Sequence, residues 1–71
     1  MSVEAAQKLV VQALGLGDVG AIDGIGTLAE WDSLGHMHIV LALETQLGAR
    51  LTPEDIVSIT GVADVARKLG G

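Results

Sequence analysis

Residues that could carry out chemistry cluster in the stretch EWDSLGHMHIVLALE, positions 30–44. Asp32, Ser33 and His36 are the residue types of a hydrolase triad, and Ser33 and His36 have i,i+3 spacing. A triad, however, also needs the acid behind the imidazole, an oxyanion hole and a cleft, and the chain has no G-x-S-x-G elbow. The sequence therefore predicts that the protein is not an enzyme.

Metal and nucleotide sites are also poorly supported by the sequence. His36 and His38 are two residues apart, so on a helix they point about 200° away from each other and cannot chelate one ion. The chain has no cysteine. GLGDVG at 15–20 matches the dinucleotide-binding fingerprint but lacks the preceding strand and following helix that the fingerprint requires. We therefore expect solvated or partner-facing histidines, turn glycines and no metal.

Length and charge narrow the class of partner. The 71 residues carry nine acidic and four basic side chains, which gives a formal charge of -5. A phosphate backbone would be repelled, so we expect no nucleic acid partner, whereas a basic protein surface would be attracted. No apolar run approaches the length of a membrane span, and the first residues do not resemble a secretory signal. The sequence predicts one domain over 1–71, a cytoplasmic monomer.

Hydrophobic periodicity and turn residues predict the elements that position this cluster. An amphipathic helix covers 3–14, and the chain from Gly15 to Asp32 holds half of the ten glycines and four carboxylates. Apolar residues recur through that segment and should pin it to the core: Val19, Ile22, Ile25 and Leu28. A strongly apolar helix over 33–47 follows, and Gly15 and Gly48 are the predicted stops of these first two helices. A short helix then opens with Thr52 as N-cap, Pro53 as first residue and Asp55 at the N3 position, and a last helix covers 62–69. The predicted fold is all-α: a small four-helix bundle of three longer helices and one short helix, with a long ordered loop between the first and second.

Ser33 thus lies where a loop gives way to a helix. Either Asp32 or Ser33 can cap the first turn by accepting a hydrogen bond from a backbone N–H. A helix N-terminus also stabilises a phosphate ester, because its free N–H groups and dipole favour negative charge. A phosphorylated or otherwise esterified Ser33 would be well placed.

The arrangement W-D-S-L-G-H, followed by an apolar helix that ends in A-L-E, resembles the acyl carrier protein family. The resemblance covers nearly the whole chain, since the later stretches LTPEDI and ITGVADV fall in the family's order and spacing. It implies that Ser33 receives 4′-phosphopantetheine from coenzyme A through a phosphopantetheinyl transferase, with Asp32 and Leu34 completing the attachment motif. The thiol of that arm would hold the cargo as a thioester, which fits a chain without cysteine.

The resemblance also implies a surface for acyl-loading and acyl-processing enzymes. The matching positions on the second helix are Leu34, Met37, Leu41 and Glu44, and Val57 and Ile59 would flank the arm near the short helix. Gly35, His38 and Thr45 occupy positions where many fatty acid carriers have acids. This thinned acidic patch suggests a specialised fatty acid, polyketide-like or secondary metabolic pathway. An aminoacyl or peptidyl carrier, and an unmodified helical interaction module, are the alternatives.

Overall fold

A computed structural model describes residues 3–70 and shows four α-helices. They are α1 (Val3–Leu14), α2 (Ser33–Leu47), α3 (Pro53–Ser58) and α4 (Val62–Gly70). Residues 3–70 contain no β-strand, and their β-type pairing is an isolated antiparallel bridge between Gly24 and Gly61. The predicted all-α class and order of helices are confirmed. In the described part of the chain, no helix has the length and apolar character that crossing a membrane would require.

The helix ends follow the residues that predicted them. Gly15 after α1 has φ +71°, and Gly48 after α2 has φ +68° and donates its N–H to the Glu44 carbonyl. Glycine adopts this left-handed conformation without the strain that a Cβ would cause. At α3, Thr52 and Asp55 form a capping box in which each side chain accepts a hydrogen bond from the other residue's backbone N–H. The predicted ends of α1 and α2 and the predicted start of α3 are confirmed.

The core is built by three of the helices. Helix α1 packs against α2 and α4, and α2 also packs against α4. The buried cluster takes residues from these helices and from the segments between them: Ala6, Leu9, Val10, Val19, Trp31, Ile39, Leu43, Ile59, Val62, Val65 and Ala66. Helix α3 contributes no buried residue.

The loop between α1 and α2 is attached by fewer apolar side chains than the sequence predicts. Val19 is buried and Leu28 packs against the core, but Ile25 is about half exposed and Ile22 is 94% exposed. The prediction that all four residues pin the loop is therefore wrong for these two isoleucines. Ile22 lies in a turn closed by polar contacts, because the Asp23 carboxylate accepts hydrogen bonds from the Gly20 N–H (2.7 Å) and the neighbouring Thr27 hydroxyl (2.9 Å).

Backbone contacts complete the attachment of this loop. The Ile25 N–H donates to the Thr60 carbonyl (3.0 Å), and the Val62 N–H donates to the Asp23 carbonyl (2.9 Å). These two segments of the chain cross so closely that a Cβ on Gly24 would lie 2.3 Å from the Thr60 carbonyl oxygen and 2.8 Å from the Gly61 Cα. The loop is thus joined to the start of α4 by main-chain contacts that only a glycine permits.

Candidate functional site

Ser33 is the first residue of α2 and is exposed. The cap of this helix is Asp32, whose Oδ1 accepts a hydrogen bond from the Gly35 N–H at 2.8 Å and whose carbonyl accepts one from the His36 N–H at 2.8 Å. Within residues 3–70 the Ser33 hydroxyl makes no hydrogen bond. The sequence left the capping residue open between Asp32 and Ser33, and the structure selects Asp32. The serine is therefore free of a capping role.

The first turn of α2 also offers backbone donors. Helix N-terminal N–H groups have no carbonyl partner one turn earlier, and Asp32 takes only the N–H of Gly35. The N–H groups of Ser33 and Leu34 face the helix end, where the helix dipole is positive. An anionic ester on Ser33 would thus lie beside the groups that favour negative charge.

A close backbone crossing fixes where Ser33 lies. A Cβ on Gly35 would be 2.2 Å from the Glu30 carbonyl oxygen and 2.8 Å from Leu14 Cδ2. The end of the loop therefore runs directly over the first turn of α2, and a larger residue at position 35 would push the two apart. Gly35, the glycine of the D-S-L-G stretch, is thus required by packing, which the sequence did not predict.

His36 is not the solvated residue that the sequence predicts. The Trp31 Nε1–H donates to His36 Nδ1 at 2.9 Å, and His36 Nε2 lies 2.8 Å from the Ile56 carbonyl oxygen. A buried indole needs an acceptor for its single N–H, and this is the requirement that places the imidazole here. Because both ring nitrogens have these partners, neither is available as a base for Ser33. His38, in contrast, is exposed as expected.

The predicted partner-facing residues divide into three groups. Leu34 (66% exposed), Met37, Leu41 and Val57 (76% exposed) are large apolar side chains at the surface. Glu44 is half-buried, and its Oε2 accepts a hydrogen bond from the Leu51 N–H at 2.9 Å. Ile59 is 0% exposed and belongs to the core, so its prediction as a partner-facing residue is wrong. It follows the end of α3, where the chain turns inward before α4 and buries that side chain.

The segment of the chain that contains Ser33 is acidic. Between Lys8 and Arg50 the chain has no Lys or Arg, whereas it has Asp18, Asp23, Glu30, Asp32 and Glu44. Hydrogen bonds from the Gly20 N–H and then from the Thr27 hydroxyl lower the pKa of Asp23, so this carboxylate is charged at neutral pH. In the described range, no three His, Asp or Glu side chains come together in a way that could hold a metal ion.

Ser33 is not among the residues that line the main surface groove. This groove of about 660 Å³ lies elsewhere, between α1, the second half of α2 and the end of α4, and Lys8, Leu9, Ala42 and Leu69 are among its lining residues. Comparisons of the chain with protein-family models, with curated proteins and with solved structures give no match. The residues around Ser33 and their geometry are therefore what indicates a function.

Proposed function

We propose that this domain is a carrier protein: Ser33 bears 4′-phosphopantetheine, and the thiol of that arm holds acyl or related intermediates as thioesters and presents them to partner enzymes. The observation that carries the proposal is the free, exposed Ser33 hydroxyl at the first turn of α2, which Asp32 releases from a capping role. A transferase needs a serine that it can reach and that the fold does not need. Ser33 meets both conditions.

The residues present fit such a group. A phosphodiester on the Ser33 oxygen would lie next to the backbone N–H groups of Ser33 and Leu34 and at the positive end of the helix dipole. The arm would supply the nucleophilic thiol that forms the thioester, and the chain has no thiol of its own. The protein's part is to hold the arm at a defined point of a small four-helix bundle, at the end of the loop that precedes α2.

The exposed apolar residues are the proposed docking surface for the transferase and for acyl-loading and acyl-processing enzymes. Leu34, Met37 and Leu41 recur at positions i, i+3 and i+7 on α2, which places them on one face with Ser33 at its start, and Val57 adds an apolar side chain from α3. An apolar helix face is a common way to be recognised by a groove on a partner. The net charge of -5 would favour basic partners in the approach.

The test of the proposal is the intact mass of the protein after incubation with coenzyme A and a broad-specificity phosphopantetheinyl transferase. We expect one added phosphopantetheine, and fragmentation should place it on Ser33. Ser33→Ala should abolish the addition, whereas Ser58→Ala, at another exposed serine of a helix, should leave it unchanged. No added mass with several active transferases would contradict the carrier function.

Stability provides an independent check on this assignment. Because the Ser33 hydroxyl has no partner, Ser33→Ala should change the free energy of unfolding by no more than about 0.5 kcal/mol. Asp32→Ala removes the cap and should cost about 1 kcal/mol, whereas Asp32→Asn keeps an acceptor for the Gly35 N–H and should cost less. A large loss with Ser33→Ala would make the serine structural.

The exposed apolar surface also favours a second function, an unmodified helical interaction module. That module would bind a partner through the same face and never gain mass. An aminoacyl or peptidyl carrier, by contrast, would carry the same arm with a different cargo. The modification experiment separates the module from both carriers, and the cargo-loading enzyme separates one carrier from the other.

Docking can be tested with matched variants on α2. Met37→Ala and Leu41→Ala each remove an exposed apolar side chain, which as an interface anchor can contribute about 2 kcal/mol or more. Glu44→Gln removes one charge but keeps an oxygen that can accept from the Leu51 N–H. Turnover of the modified protein by its loading enzyme should fall further for the apolar variants. If Glu44→Gln is the most damaging and added salt abolishes turnover, docking is electrostatic instead.

A further inference from the structure

Helix α3 is held to the rest of the domain in an unusual way. None of its six residues is buried. Three polar contacts join it and its N-terminal approach to the longer helices: His36 Nε2 to the Ile56 carbonyl (2.8 Å), Lys68 Nζ to Asp55 Oδ1 (2.7 Å) and the Leu51 N–H to Glu44 Oε2 (2.9 Å). Apolar anchoring comes from the residues on either side, Leu51 and Ile59. The position of α3 therefore depends on polar contacts, which a change in the protonation of one partner can break.

The contact made by His36 requires one protonation state of the imidazole. The indole Nε1 of Trp31 is only a donor, so His36 Nδ1 must accept and cannot carry a proton. The proton of a neutral ring is then on Nε2, which donates it to the Ile56 carbonyl. The chain of bonds runs in one direction, from Trp31 through His36 to α3.

We infer that neutral His36 is the positioning residue that fixes α3 against the first turn of α2, and that protonation of His36 releases α3. On protonation, Nδ1 takes a proton from solvent and becomes a second donor, which then faces the indole N–H of Trp31. The buried Trp31 donor loses its acceptor, and the ring has to move to relieve two opposed donors. Movement of the ring withdraws Nε2 from the Ile56 carbonyl.

Acidic side chains lie on the elements that adjoin His36. From the loop end these are Glu30 and Asp32, and Asp32 is bonded to the Gly35 N–H. From α3 they are Glu54 and Asp55, and Asp55 is bonded to Lys68 of α4. In the described part of the chain, the ion pairs are those of Lys68 with Asp55 and of Arg67 with Asp64, and neither includes His36. His36 is therefore held by Trp31 and the Ile56 carbonyl and not by a carboxylate.

The location gives this tether a consequence for Ser33. His36 follows Ser33 at i+3 and so lies on the same side of α2, one turn along. If Ser33 carries the arm, as proposed above, then α3 lies beside the start of that arm. Acidification would release α3 from this position. The tether itself does not depend on the modification, so it is tested on the unmodified protein.

The experiment is a pH titration of the ¹⁵N-labelled protein by NMR, from pH 7.5 down to the pH at which the His36 ring is protonated. At neutral pH, the ring ¹⁵N shifts of His36 should report the proton on Nε2, and the Trp31 indole N–H should be slow to exchange. As His36 gains its proton, the indole resonance and the α3 amides should move with the same midpoint. The protection factor of the Ile56 amide, which donates to the Thr52 carbonyl, should fall by about tenfold, the scale of one lost hydrogen bond.

Two variants separate this role from a merely structural one. His36→Gln offers an oxygen for the indole and an N–H for the Ile56 carbonyl, so it should keep α3 in place and abolish the pH response. His38→Gln changes the exposed histidine of the same helix and should leave the response intact. The inference is overturned if neutral His36 carries its proton on Nδ1, if the α3 amides do not follow His36, or if His36→Gln still shows the transition. Each result holds whether or not a transferase modifies Ser33.

Discussion

The loop before α2 and the helix α3 both lie outside the three-helix core, and they are attached in opposite ways. The loop has almost no regular structure, yet it buries Val19 and makes main-chain hydrogen bonds to Thr60 and Val62. Helix α3 is regular and well capped, yet it buries none of its own residues. Regular secondary structure is thus a poor guide to how firmly a segment is held. Buried side chains and long-range backbone hydrogen bonds determine how firmly a segment is held.

The largest effect is expected where the loop crosses the start of α4. Gly24→Ala would place a Cβ 2.3 Å from the Thr60 carbonyl oxygen, so the backbones must separate and their hydrogen bonds weaken. We expect the free energy of unfolding in a denaturant titration to fall by about 3 kcal/mol. Gly26→Ala is the matched control, since a Cβ there has nothing within 4 Å and the backbone is not left-handed. Equal effects of the two variants would mean that the crossing is not close.

A second pair of variants tests which side chains hold the loop. Val19→Ala removes two methyl groups from the core and should cost about 1–3 kcal/mol. Ile22→Ala removes a larger side chain from the exposed turn and should change stability by less than about 0.5 kcal/mol. Thermal unfolding followed by circular dichroism can rank them. If Ile22→Ala costs more than Val19→Ala, the turn is covered in solution.

The cap of α3 should matter less for the whole domain. Thr52→Ala removes the side chain that accepts the Asp55 N–H and should destabilise by about 1 kcal/mol. Because α3 buries no residue, the loss should appear mainly as faster hydrogen exchange within α3 and only weakly in global unfolding. Ser58→Ala, at the other end of the helix, is the control, because it removes a hydroxyl that donates to the Asp55 carbonyl but leaves the cap intact. Uniformly faster exchange over α1, α2 and α4 would show that α3 is integral to the core.

The smallest effect concerns the contact between α3 and α4. Lys68, and then the Thr52 side chain and N–H, lower the pKa of Asp55 below its usual value of 3.8. A lowered folded-state pKa adds stability that is present above the usual value and is lost as pH falls through the lowered one. Acidification below pH 4 should therefore loosen α3, and Lys68→Met should shift the Asp55 titration seen by NMR upward. An unchanged titration in Lys68→Met would contradict the ion pair.

Local signals in the sequence predicted most of the fold. Glycine at 15 and 48 and the Thr52–Asp55 box gave the helix ends, because each acts through its own neighbouring backbone. The crossing at Gly24 was not predictable, because it depends on a contact with Gly61 far along the chain. The exposure of Ile22 was missed for a related reason. The spacing of apolar residues shows which side chains could be buried. The hydrogen bonds that Asp23 accepts set the conformation of the turn, and in that conformation Ile22 is exposed.

For the candidate site, the sequence predicted the position of Ser33 at the start of α2 but not its surroundings. Two residues could have capped the helix, and only the structure distinguishes Asp32 from Ser33. The partner of His36 was missed because a histidine in a helix that is apolar around most of its circumference gives no indication of the direction in which its ring points. The one available clue was Trp31, since an indole that is buried must find an acceptor. Ile59 was misplaced because the resemblance gave its position and not its burial.

The crossing of Gly24 over Gly61 also has a kinetic meaning. It closes a ring of chain that contains both α2 and α3, so it can form only after the segments on either side have been brought together. The entropy of that closure opposes the contact until most of the ring is folded, so we expect the crossing to form late on the folding pathway. Interactions that form late are absent from the transition state. The strain of a Gly24→Ala substitution should therefore speed unfolding far more than it slows folding.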